Sequence, residues 1–212
     1  MNNVRLLVAG LLAASALAFS PMAQAQVSAD NWYVGVGAGQ GKGKDACSDI
    51  ASAGAPVGLT VTSCDDTATG YRLFAGFPVH KNFRIEVGYA DFGKPGGTGA
   101  ILSVPVSADW KATAWDASLL GTLPVADKFS VLGRLGVALW HVELDVNALG
   151  VGFSESASGA SALYGLGVQY DFTDRFGLRG EWVRYSNVGD SNQTGQTDVD
   201  VMGASLLYRF YE

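Results

Sequence analysis

The chain has 212 residues, 48% of them hydrophobic and 28 of them glycine, with a formal net charge of −6 at pH 7. That acidic balance excludes the basic footprint with which nucleic-acid binders hold phosphate, and two cysteines with two histidines make a poor ligand set for a structural metal. Beyond the N-terminus, no run approaches the roughly 20 apolar residues that a spanning helix needs, so the hydrophobic content must be carried in another form.

In chain order, Met1 to Arg5 brings a positive charge, Leu6 to Phe19 is an apolar run, and Ala23-Gln24-Ala25 has the small-x-small form of a cleavage site. This predicts an export signal over 1–25, removed before Gln26, and a single domain over 26–212. The first strand is predicted at Asn31 to Gln40, with Trp32, Val34, Val36 and Ala38 on one face and Tyr33, Gly35, Gly37 and Gly39 on the other. GVGAGQG superficially matches a dinucleotide fingerprint. That motif needs a helix opening directly after a strand in a βαβ unit, whereas these glycines recur at every second residue, as one strand face does.

Gly41 to Asp66 reads as a loop and holds Cys47 and Cys64. In an oxidising compartment the two are predicted to form a disulfide that stiffens an exposed loop. Strands follow at Thr69 to Val79 and Phe83 to Phe92, joined by a tight turn at His80-Lys81-Asn82. Gly93 to Ala108 reads as a polar loop, then strands are predicted at Asp109 to Val125 and Phe129 to Asp145, with a further loop near Asn147 to Ser158.

The closing stretch, Leu163 to Phe210, has the clearest pattern. Tyr164, Leu166, Val168, Tyr170 and Phe172 alternate with Gly165, Gly167, Gln169 and Asp171; later Met202, Ala204, Leu206, Tyr208 and Phe210 alternate with Gly203, Ser205, Leu207 and Arg209. Period two means strands. One face is apolar and ends in aromatics, and the other is small and polar. That is the pattern of a transmembrane β-barrel, in which lipid-embedded strands satisfy their backbone by closing on themselves. Short turns alternating with long loops predict about eight strands, the turns periplasmic and the loops external.

VQYDFTDRFGLRGEWVRYSNVGD followed by VMGASLLYRF resembles the last three strands of the outer-membrane protein A transmembrane domain, and NWYVGVGAG, FRIEVGYADFG and RLGVALWHVEL are similar to earlier strands of that family. The resemblance implies an eight-stranded up-and-down barrel with a side-chain-filled interior. Many family members carry a peptidoglycan-binding domain after the barrel, and a chain ending at Tyr211-Glu212 is expected to lack that anchor. The family's inward carboxylate–arginine pair falls on Glu86 and Arg179, and its exchange partners fall on Leu120 and Gln169, which are uncharged. The resemblance therefore implies a static pair, with exchange in a narrow gated pore as the alternative. On parity alone, Arg72, Arg84, Glu86, Asp116, Arg134, Arg179, Glu181 and Arg209 are expected to neutralise one another in the lumen, since unpaired buried charge is costly.

Barrel enzymes that act on outer-leaflet lipid use a serine with a histidine and an orienting group. Here His80 is predicted in a periplasmic turn, His141 sits near the outer end of its strand, and Arg184 stands where Ser186 would need a base, so no catalytic set is assigned. Asp190, Asp198 and Asp200 form an acidic cluster whose oxygens suit a divalent cation, but solvated loop acids are the simpler reading. Trp32, Trp110, Trp115 and Trp182, with Tyr89, Tyr170, Tyr208 and Phe210, are predicted lipid-facing or interfacial anchors, and Trp140 is predicted inward. The expectation is a monomeric outer-membrane scaffold in contact with lipid and lipopolysaccharide. Its loops meet external ligands or a host surface, it uses no cofactor, metal or nucleic acid, and its alternatives are the gated pore and a lipid-modifying enzyme.

Overall fold

The computed structural model describes residues 32–44, 46–148, 151–190 and 195–210; the predicted export segment and its cleavage point lie outside them. The strands are β1 (Tyr33–Gly43), β2 (Leu59–Asp65), β3 (Thr67–His80), β4 (Phe83–Asp91), β5 (Gly96–Ile101), β6 (Val104–Ala126), β7 (Phe129–Ala148), β8 (Val151–Asp171), β9 (Phe176–Asp190) and β10 (Gly195–Arg209). A helix, α1 (Ala46–Gly54), and a 3-10 turn at Ala55–Val57 stand between β1 and β2.

Eight of these strands close an antiparallel ring in the order β6-β4-β3-β1-β10-β9-β8-β7, sealed by β6 against β7. The first and last strands meet from Tyr33↔Arg209 to Gly43↔Val199. Closure gives the ladder no free edge at ring level, the condition for strands to cross lipid. The outside is apolar: Leu135, Leu166 and Met202 are 69%, 67% and 68% exposed, while Glu86 inside is fully buried. So large an apolar surface would drive association in water; in a bilayer it is the lipid-facing band.

The connections at one end are short: Lys81–Asn82, Asp127–Lys128 and residues 172–175. Phe210 N–H donates to Trp32 O at the same end, and the Phe210 ring stacks on Trp32 with centroids 3.9 Å apart. The opposite end carries the elaborations, so the predicted asymmetry of short periplasmic turns and long external connections holds.

Three expected loops fold differently. Within 41–66, β1 continues to Gly43 and is followed by α1 and β2; within 93–108, β5 forms. β2 pairs with β5, and β5 pairs with β6 from Gly96↔Asp109 to Ile101↔Val104. The segment 147–158 is strand as well, because β7 and β8 stay paired from Phe129↔Tyr170 up to Ala148↔Val151. Glycine, proline and serine in GKPGGTGAILSVP and GVGFSESAS have turn chemistry, which hid pairing set by neighbouring strands. Pairing of β8 with β9 ends at Leu163↔Tyr185. A partial sheet, β2-β5-β6-β7-β8, therefore rises above the ring on one side. The disulfide Cys47–Cys64 ties α1 to β2 with Cα atoms 5.9 Å apart, as expected from export.

Candidate functional site

Alternation sends every second side chain into the lumen, where they build layers. Nearest the short turns, Arg209 Nη2 donates to Asp171 Oδ1 at 2.5 Å, Gln169 Nε2 donates to the same oxygen at 3.0 Å, and Arg84 Nη1 donates to Thr122 Oγ1 at 2.8 Å. The expectation of one mutual network is corrected here. Arg84 and Arg209 belong to this lower layer, and Asp171, placed inward by parity, supplies the carboxylate for Arg209.

The middle layer holds three guanidiniums and three carboxylates. Arg179 Nη1 and Arg134 Nη2 donate to the two oxygens of Glu86 at 2.5 and 2.6 Å, and Arg72 Nη1 approaches at 3.4 Å. Tyr33 Oη donates to Glu86 as well. Arg134 reaches Glu181 at 2.8 Å and Ser118 at 2.9 Å, while Arg72 holds Asp116 at 2.6 Å. The charges balance, and each buried ion has partners, as burial away from water demands. Gln169 Oε1 accepts from Arg179 Nε and Nη2, both at 3.1 Å. Leu120, the second uncharged position of the family's switch, is fully buried. Glycines opposite the large residues make room: a Cβ on Gly76 would strike the Tyr33 ring, and one on Gly35 the Phe74 ring. A cavity of about 50 Å³ remains beside Arg72, Glu181 and Ser205.

Above the ions lies an apolar plug that includes Phe92, Ala114, Trp140, Val142, Leu163 and Tyr185. Trp140 is inward, as predicted, and its Nε1 has no partner among the described residues. Trp110 also packs against the plug from inside, which corrects its expected place as a lipid anchor; it has the parity of buried Ala112 and Ala114, opposite to that of exposed Trp115. The other anchors face outward in aromatic groups. Tyr89 lies 5.2 Å from Trp115, Tyr164 6.0 Å from Trp182, Tyr170 5.4 Å from Phe172, and Tyr208 4.8 Å from Phe210.

At about the level of Thr113↔His141 the wall reverses polarity. Below it, outward residues are apolar and the inner face carries the ionic layers with the apolar plug above them. Above it, Asp109, Glu143, Asp145 and Asn147 point outward and exposed, while Trp110, Leu144 and Val146 are half-buried on the inner face. The reversal places the top of β6 and β7 in water, where the outer face must be polar. The inner face, joined by β2 and β5, lines a cup of about 500 Å³ closed on its far side by Gln196 and Thr197. Sequence reading missed the cup, although the switch from LGVAL to HVELDVN carries the signal.

His141 is not a lone interfacial ring. Its Nδ1 lies 2.8 Å from Ser158 Oγ, and its Nε2 lies 3.6 Å from Glu143. Ser186, on β9, lies on a different strand from this group. Of the acidic cluster, Asp200 takes both Nε and Nη2 of Arg184 at 2.6 Å, and Asp198 accepts the Asn187 N–H at 3.0 Å. These acids are committed to protein donors, which corrects the picture of freely solvated loop acids.

A closed ring with an apolar exterior, an ion-filled lumen and turns that are short at one end only defines an integral outer-membrane β-barrel of eight strands. The chain belongs to the family of the OmpA-like transmembrane domain, whose model matches residues 27–212. It is 25% identical over 202 residues to outer membrane protein A of Serratia marcescens, covering 94% of this chain and 55% of that protein. With the Yersinia pseudotuberculosis protein of the same name it is 27% identical over 203 residues, covering 94% and 54%. The chain thus spans about half the length of the curated relatives it matches. Among solved structures, Ail of Yersinia pestis, in complex with the heparin analogue sucrose octasulfate, shares the fold with a TM-score of 0.54 at 16% identity, covering 85% of this chain and 99% of that one.

Proposed function

We propose that this protein is a structural and surface-interacting component of the Gram-negative outer membrane. A closed, filled barrel serves as the base for an external cap. The observation that carries this reading is the lumen itself: a neutral ionic layer under an apolar plug, both made of buried side chains. Such a lumen stabilises a wall better than it passes solute. The cap is stapled by Cys47–Cys64 and is built from continuous strands, so it presents a rigid surface to external ligands, with lipid and lipopolysaccharide around the band below. Its exposed residues include Asp65, Asp109, Glu143, Asp145 and Glu155. An acidic cap repels polyanions, so we expect ligands unlike the sulfated sugar bound by Ail. Monomeric function and the absence of catalysis are part of the same proposal.

The second reading is a narrow gated pore. It draws on the Glu86 carboxylate, which three arginines from three different strands share, an arrangement in which partners can exchange. Single-channel recording of the refolded protein beside Glu86→Ala in a planar bilayer separates the two. Silence from both is expected. Discrete openings in the parent that change in the variant would replace the scaffold reading with the pore.

A further inference from the structure

We infer that the external cup is a binding site for one uncharged, predominantly hydrophobic small molecule. The cup is lined mainly by β2, β5, β6 and β7, and the register aligns this lining in rows: Val61 faces Gly99, Gly99 faces Val106, and Val106 faces Ala148. One level down, Ala108 faces Val146, and below that Trp110 faces Leu144. Trp110 forms the floor, because it also packs on the plug beneath. The lining is therefore predominantly apolar from rim to floor, with Ser63, Thr98, Ser107, Gln196 and Thr197 as its uncharged polar members.

Its volume of about 500 Å³ falls within the roughly 300–1,000 Å³ of ordinary small-molecule sites. An apolar concavity of this size holds water with few hydrogen-bond partners, and a hydrophobic ligand that displaces such water gains affinity. Charge sets the class. The carboxylates at the cup are Asp65 and Asp66; Lys42 answers Asp66 at 3.5 Å, and Asp65 accepts the Thr67 N–H. An anionic amphiphile would meet net repulsion at the mouth, and a cation would have to leave its hydration shell among aliphatic side chains. An uncharged molecule with aromatic or aliphatic bulk meets neither cost, and Trp110 offers it a flat face.

The test uses the full mature chain in lipid nanodiscs, titrated with the uncharged fluorophore N-phenyl-1-naphthylamine and with its anionic relative 8-anilino-1-naphthalenesulfonate. Empty nanodiscs correct for partition into lipid. Expected is a saturable signal of one uncharged probe per barrel, weakened about tenfold or more by Ala108→Trp, which fills the cup, and kept by Ala108→Ser. The anionic probe should bind about tenfold more weakly than the uncharged one. Each variant is first checked for the heat-dependent gel mobility of a folded barrel, so that loss of binding is not loss of fold. A signal equal in empty nanodiscs, parent and Ala108→Trp would overturn the site. Equal binding of the two probes would overturn the assigned ligand class.

Discussion

Tyr33 and Glu86, 53 residues apart in the chain, are joined at the centre of the barrel by a hydrogen bond from the phenol to the carboxylate. The same phenol oxygen accepts from Arg179 Nη2 at 3.3 Å, so one hydroxyl links both members of the buried pair. Tyr33→Phe should therefore destabilise the barrel by about 1.5–3 kcal/mol, the range for hydrogen bonds to charged groups. Glu86→Gln should cost more, about 3–5 kcal/mol, because it leaves three guanidiniums facing two carboxylates. Urea unfolding in lipid vesicles reads both values. A Glu86→Gln barrel as stable as the parent would mean that the ionic layer does not hold the wall together.

Gly76 leaves the space that the Tyr33 ring fills, and an added Cβ there collides with that ring. Gly76→Val is expected to cost about 1–3 kcal/mol by overpacking and to break the Tyr33–Glu86 bond. In combination with Tyr33→Phe the losses should add to less than their sum, since both remove one contact. Strict additivity in that double-mutant cycle would show that the glycine acts elsewhere.

The Cys47–Cys64 bond closes a sequence separation of 17 residues, and the chain-entropy model assigns such a loop about 3 kcal/mol. That stabilisation belongs to the cap, because neither cysteine lies on a strand of the ring. Reduction should leave the gel mobility of the folded barrel unchanged while speeding proteolysis between Lys44 and Asp66. Simultaneous loss of barrel mobility would tie the staple to the ring instead.

Ser158, His141 and Glu143 bring a hydroxyl, an imidazole and a carboxylate together on the outward wall. A structural reading predicts that membranes carrying the protein release no fatty acid from outer-leaflet lipid above the background of empty membranes, and that Ser158→Ala makes no difference. Release that disappears in the Ser158→Ala variant would assign this group a catalytic role.

The ring was legible in the sequence because lipid and lumen impose opposite polarities on successive residues. Glu86, Arg134, Arg179 and Glu181 could be placed inward from parity alone, and the family resemblance singled out Glu86 with Arg179. Parity does not say at what height along the barrel two inward residues stand, so Arg209 was grouped with the central ions although its partner is Asp171. The cap escaped notice for a different reason. Its polarity follows water outside and an apolar interior, the reverse of the membrane rule, and Trp110 was misplaced by applying that rule above the level where it holds. β5 is the hardest case, since GGTGAI has almost no side-chain pattern and is a strand only because β2 and β6 flank it.

Strand β6 serves two neighbours with separate parts of its length: Thr113 to Gly121 pair with β4, and Val104 to Asp109 pair with β5. Only three residues, Trp110 to Ala112, lie between the two sets. The hydrogen bonds that fix the register of the ring are therefore not those that hold the cap, although one continuous backbone carries both. Insertions, deletions or wholesale replacement between Gly43 and Thr67, or between Asp91 and Asp109, can reshape what the cell shows to its surroundings without shifting a single pairing inside the bilayer. The β6–β7 ribbon acts as a mast on which different external structures can be mounted while the hull stays the same.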